Sequence, residues 1–241
     1  EIYPQSFQDS NGDGIGDING IISRLDYILG LGCNAIWLNP CFDSPFTDAG
    51  YDVRDYYKVA PRYGTNEDLK TLFSEAHCRG MHVILDLVAG HTSYDNAWFL
   101  QSMLPEENKY SHRYVWTDSI WHSPANVPEL SGCLRGISNR DACCGTNYYS
   151  TQPALNYGFA NISEPWQMPV DAAPAVATRE EMKNIMRFWL NMGCDGFRVD
   201  MAASLVKNDP DKSATIKLWQ NFRQFLDEEF PQAAIVSEWG D

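Results

Sequence analysis

Three times along this chain an amphipathic stretch runs into a glycine and then into a short apolar segment that finishes on a polar or charged side chain. The three are Leu31-Gly32-Cys33-Asn34-Ala35-Ile36-Trp37-Leu38-Asn39, Arg79-Gly80-Met81-His82-Val83-Ile84-Leu85-Asp86 and Met192-Gly193-Cys194-Asp195-Gly196-Phe197-Arg198-Val199-Asp200. A glycine that stops a helix just ahead of a buried strand is the mark of a βα unit, and its repetition predicts a parallel sheet covered by helices. Residues 18–31 place Ile18, Ile21, Ile22, Leu25, Ile28 and Leu29 on one helical face, and 66–79 follow Thr65 as N-cap. Residues 179–192 follow Thr178 with Glu181 three positions on, a capping box, and 212–229 carry Ile216, Trp219, Phe222 and Leu226 toward a core.

Strands are predicted near 2–4, 35–39, 83–88, 196–200 and 234–238. Joined by right-handed crossovers, they make about five-eighths of a (β/α)8 barrel of TIM type. An open doubly wound sheet is the rival, but no glycine-rich phosphate fingerprint follows the first strand. From 91 to about 170 the rhythm breaks, and Pro, Ser, Asn and Tyr become frequent. So long a structureless loop is improbable in a compact unit, so 91–170 is expected to be an inserted domain after strand 3. It would carry small sheets of its own, with β-like pieces at Tyr114-Val115-Trp116 and Asn147-Tyr148-Tyr149. The barrel then occupies 1–90 and 171–241, truncated before a sixth strand.

The formal net charge of −14 repels phosphate backbones and anionic bilayers, so neither nucleic acid nor membrane is an expected partner, and a neutral ligand such as a sugar suits the chain. No apolar run approaches the roughly 20 residues of a membrane span. Seven cysteines, an odd number with three in apolar segments, favour a reduced, cytoplasmic setting over a disulfide framework. Cys143-Cys144 has no second Cys or His pair at zinc spacing.

Against this frame two carboxylates stand out. Asp200 and Glu238 close consecutive predicted strands with one helix between them. Neighbouring strands of a parallel barrel can hold two carboxyls roughly 5 Å apart, the spacing that cleaves a glycosidic bond with retention. Asp9-Ser10-Asn11-Gly12-Asp13-Gly14-Ile15-Gly16-Asp17 alternates oxygen ligands around a glycine turn. That reads as a calcium loop, with the side chains of Asp9, Asn11, Asp13 and Asp17 and the carbonyl of Ile15 as ligands. It is not an EF-hand, because Gly20 stands where the bidentate Glu would be; the plain alternative is a solvated Asx-turn capping a helix at Asp17. Gly50-Tyr51-Asp52 offers an aromatic face beside a carboxylate, a combination that stacks on and hydrogen-bonds a pyranose. Asp86 through His91 ends strand 3 with a carboxylate inside the strand and a histidine just past it.

In this order, and with Gln152-Pro153-Ala154-Leu155-Asn156, these segments resemble the α-amylase family of glycoside hydrolases, most closely its oligo-1,6-glucosidase and trehalose synthase branch. The resemblance implies retaining hydrolysis of α-glucosidic bonds in short α-glucosides, with Asp200 as nucleophile and Glu238 as general acid/base. The pKa of Glu238 would be raised by the charge of Asp200 and by burial. It further implies that Arg198 orients Asp200, that His91 and Tyr51 hold the attacked sugar, and that Asp52 closes an exo-type pocket. A glucosyltransferase or trehalose synthase-type isomerase is the enzymatic alternative. A non-catalytic glucosidase-like transporter heavy chain is the alternative of another class, disfavoured by Asp200, Arg198 and Glu238 occurring together. The chain departs from the family at Gly90, where Asn is usual, and at Ala154, where Asp is usual. The family's third carboxylate lies beyond these residues, so the 241-residue chain by itself is expected to be inactive.

Overall fold

A computed structural model describes residues 1–239. In chain order the strands are β1 (Ala35–Leu38), β2 (Phe42–Asp43), β3 (Asp55–Val59), β4 (His82–Leu87), β5 (Gly132–Arg135), β6 (Cys143–Thr146), β7 (Gly196–Val199) and β8 (Ala234–Ser237). The helices are α1 (Pro4–Phe7), α2 (Ile18–Ser23), α3 (Leu25–Gly30), α4 (Asn66–His77), α5 (Ala97–Ser102), α6 (Ala173–Met192) and α7 (Ser213–Glu229). The four βα strands pair side by side and parallel in the order β1-β4-β7-β8, and Ile2 extends the row by one parallel bridge to Leu38. This is the part of a (β/α)8 barrel that the sequence predicts. β7 is buried throughout, and β1 and β4 are apolar and buried toward their C-terminal ends after an exposed first residue. Among the described residues β8 pairs on one side only.

Two glycines set this geometry. Gly193 caps α6 at φ 113°, turning the chain from helix to strand. Gly196 sits at φ 150°, where an added Cβ would lie 2.1 Å from the Ala234 carbonyl oxygen, so β7 and β8 approach this closely only because residue 196 has no side chain.

Several predicted boundaries shift. The stretch at 2–4 is a single bridge rather than a strand, because Pro4 opens the helical turn α1. The helix predicted over 18–31 is split at Arg24 (φ −112°, ψ 7°). Thr178 caps nothing: α6 begins earlier, at Ala173, with Pro174, whose fixed φ suits a first helical turn, as its second residue, and the Thr178 hydroxyl donates back to the Pro174 carbonyl at 3.1 Å. Thr65 does cap α4, in a reciprocal box with Asp68.

Between β4 and α6, β5 and β6 form an antiparallel pair that the sequence reading did not find, while Asn147-Tyr148-Tyr149 lies outside any strand. This segment is tied to the end of β4 by Leu155 N–H to the Gly90 carbonyl (3.0 Å) and by the Tyr157 hydroxyl to the Ala89 carbonyl (2.8 Å). All seven cysteines are free. Among the described residues no helix is long and apolar enough to cross a membrane.

Candidate active site

Parallel register brings the polar ends of β4, β7 and β8 to one level. Val199 pairs with Ser237, so Asp200 and Glu238, each one residue further on, are neighbours at the rim of the sheet. Asp86 pairs with Arg198 on the adjacent strand. The Arg198 guanidinium reaches all three carboxylates: Nη1 donates to both oxygens of Asp86 (2.9 and 3.0 Å) and to Asp200 (3.1 Å), while Nη2 lies 3.0 Å from Glu238 Oε2. One cation bridging Asp200 and Glu238 puts both carboxyls on the same side of the sheet end, within a range compatible with the roughly 5 Å of a retaining pair. They face a cleft of about 720 Å³ lined also by Tyr51, His91, Asn147, Tyr148, Tyr149, Met201 and Asp48.

Burial pushes the Asp86 carboxyl up to about 6 against the pull of Arg198. Burial, and next the charge of Asp86, push Asp200 up to about 7. The Glu238 side chain, at the end of a strand that pairs on one side only among the described residues, is 48% exposed, and its Oε2 also accepts from the Met201 N–H at 3.0 Å. Burial opposes the charge of Arg198, but the carboxylates around it raise its pKa overall. Its guanidinium also lies over the Trp37 ring, 4.8 Å from the centroid.

Tyr51 is held beside this cluster. Its hydroxyl donates to Asp86 Oδ2 (3.2 Å) and accepts from Asn39 (3.1 Å), leaving the ring at the cleft wall. His91 is buried with both ring nitrogens engaged, Nε2 on the Tyr51 carbonyl (2.9 Å) and Nδ1 on Asn147 Nδ2 (3.0 Å). A hydrogen bond from His91 to a sugar therefore requires exchange of its Tyr51 partner.

The expected role of Asp52 is corrected by the geometry. Asp52 is fully buried and does not line the cleft; its carboxylate accepts from Ser44 Oγ, from Thr47 N–H and Oγ1, and from Asp48 N–H, closing the loop on itself. The carboxylate that does reach the cleft from this loop is Asp48, which accepts from Gln152 Nε2 at 2.6 Å. Burial raises its pKa, with the charge of Asp52 adding to the effect and the Gln152 bond opposing it. Asp48 and Asn147 were missed because each sits in a turn, where sequence does not tell which of several polar side chains points inward. Asp86 carried a visible signal, a carboxylate in the middle of an apolar strand.

In the loop before α2 the side-chain oxygens hold the backbone. Asp9 accepts from the N–H groups of Asn11, Gly12 and Gly14, Asn11 from that of Asp13, and Asp13 from that of Ile15. Asp17 accepts from Gly20 N–H (2.6 Å) as the helix cap and from both the N–H and hydroxyl of Ser10. Backbone N–H groups, led by that of Gly14, lower the Asp9 pKa. These hard oxygen donors suit calcium, but among the described residues no three acidic, His or Cys groups are gathered around a common metal position.

Comparison with known proteins places these features in a wider set. The profile described as alpha amylase, catalytic domain, matches residues 1–241. The chain is 38% identical over 214 residues to an oligo-1,6-glucosidase of Heyndrickxia coagulans, covering 86% of this chain and 35% of that protein. It is 36% identical over 251 aligned positions to the trehalose synthase/amylase TreS of Mycolicibacterium smegmatis, covering 99% of this chain and 39% of that one. It thus spans under two-fifths of the length of these relatives. Among solved structures, the R284C mutant of trehalulose synthase MutB superposes with a TM-score of 0.84 at 31% identity, over 99% of this chain and 44% of that one. The α-glucosyl transfer enzyme XgtA superposes at 0.82 and 30%, over 100% of this chain and 48% of that one.

Proposed function

Because the chain belongs to the α-amylase family of glycoside hydrolases, we propose that the protein cleaves α-glucosidic bonds of short α-glucosides with retention, at the cleft where Asp200 and Glu238 meet. The observation that carries this reading is Arg198 bridging Asp86, Asp200 and Glu238 at the ends of three adjacent strands. Asp200, oriented and favoured as the anion by Arg198, attacks the anomeric carbon, and Glu238 protonates the departing oxygen. A covalent glucosyl-Asp200 ester forms as the glycosidic bond breaks, and water, deprotonated by Glu238, then releases the sugar. The Tyr51 ring stacks on the attacked glucose, and Asp48 accepts hydrogen bonds from its hydroxyls.

Incubating the full-length protein with maltose tests this. Glucose is the expected product, and Asp48→Ala is expected to raise KM by about tenfold or more through loss of a charge-assisted hydrogen bond. Trehalose or longer oligosaccharides as main products would replace hydrolysis by transfer on the same site, in line with the names of TreS and XgtA. No turnover of any α-glucoside by a folded, full-length sample would overturn the reading.

We also propose that the 9–17 loop holds a structural calcium ion through Asp9, Asn11, Asp13, Asp17 and the Ile15 carbonyl. A bound ion would neutralise the loop's carboxylates and fix it ahead of α2. Chelation is expected to lower the melting temperature by several degrees, about what 1–2 kcal/mol removes from a domain of this size. Asp13→Ala should abolish the response, and a melting temperature indifferent to chelator and to added calcium would count against the ion.

A further inference from the structure

Gly90 lies three residues past the buried end of β4, and a Cβ at this position would lie 2.8 Å from Asn147 Nδ2. The amide of Asn147, arriving from the segment after β6, thus fills the space that a side chain at 90 would need. Asn147 is 3% exposed and lines the cleft. Its Nδ2 reaches His91 Nδ1 (3.0 Å) and Met201 Sδ (3.7 Å), while its Oδ1 is buried without a partner.

The orientation of this amide follows from its neighbours. The Tyr51 carbonyl can only accept, so His91 Nε2 carries the proton and donates at 2.9 Å. A neutral His91 then has a bare Nδ1, which needs a donor; Asn147 must turn Nδ2 toward it and leave Oδ1 free. Burial lowers the His91 pKa to about 4, in keeping with a ring held neutral. The same Nδ2 also reaches the side chain of Met201, whose N–H holds Glu238. Asn147 therefore connects the Tyr51–His91 wall to the turn that follows the nucleophile.

We propose that Asn147 is the positioning residue of this cleft: it occupies the space left open by the glycine at 90 and fixes His91 in a single tautomer against Tyr51. This rests on the cleft being an α-glucoside site. Gly90 and Asn147 then act as one unit, since a side chain at 90 is tolerated only when the amide at 147 is gone.

The test is a double-mutant cycle in the full-length protein with maltose, joined to an NMR titration of the His91 ring. Asn147→Ala is expected to lower kcat/KM by about tenfold to a hundredfold, more through KM than kcat, as misplacement of a binding wall does. Gly90→Ala should cost a similar factor in the parent and nothing further in the Asn147→Ala background. In Asn147→Asp the new carboxylate accepts from a protonated Nδ1, so His91 should titrate at a clearly higher pH than in the parent. Equal cost of Gly90→Ala in both backgrounds, unchanged kinetics of Asn147→Ala, or an unmoved His91 titration in Asn147→Asp would each overturn the proposal. If the parent turns over no α-glucoside, the functional reading falls, while the His91 titration still decides whether Asn147 sets the state of the ring.

Discussion

Asp200→Asn in the full-length protein is expected to reduce turnover of α-glucosides on the order of 10⁴-fold or more, the scale on which loss of a covalent nucleophile is felt. The substitution keeps the shape of the side chain and its contact with Arg198 while removing the attacking charge. Because Asp200 must be ionised to attack and its carboxyl is pushed up to about 7, kcat/KM of the parent should fall as the pH drops through that value. Stability runs the other way. A carboxyl whose folded-state pKa is raised holds its proton more tightly folded than unfolded, so its ionisation costs stability that accumulates as pH rises from the ordinary carboxylate range through the raised value. Asparagine removes that cost. The variant should therefore melt at or above the parent at about pH 8, with the difference closing toward about pH 4. Turnover within tenfold of the parent would take Asp200 out of the mechanism.

Arg198→Met should be the most damaging change to the fold itself. It leaves Asp86 and Asp200 buried, with Glu238 beside them, and withdraws the cation all three share. Breaking a buried ion pair by removing one partner costs about 3–5 kcal/mol, because the charges left behind are uncompensated. The loss should be largest near neutral pH and above, where both buried carboxyls ionise, and should shrink toward about pH 5, where their raised values keep them protonated. Denaturant unfolding of parent and variant at the two pH values measures this. Adding Asp86→Asn should recover part of the loss by removing one stranded charge. A stability deficit that is small or independent of pH would mean that Arg198 is not what holds the cluster.

The sequence made three of the barrel strands legible because each follows a glycine that stops a helix, and β1, β4 and β7 fall where that pattern puts them; β8 follows Pro231 instead and was read from its own short apolar run. It made the neighbourhood of Asp200 and Glu238 legible as well, since parallel register carries residues at strand ends to a common level. What it hid depended on contacts across the chain. Asp48 and Asp52 are four residues apart in one loop, and only the closing of that loop on the Asp52 carboxylate decides that Asp48 faces the cleft. The start of α6 was hidden by a convincing false cap at Thr178, with Pro174 upstream as the stronger initiator.

The bare backbone at Gly196 has a consequence for anyone wishing to redesign the chemistry. The gap between β7 and β8 is set by a methyl group that is missing, and Asp200 and Glu238 ride on those two strands. The spacing that separates retaining from inverting reactions is thus governed from the far end of the strands, where a bulkier residue would act as a shim between them.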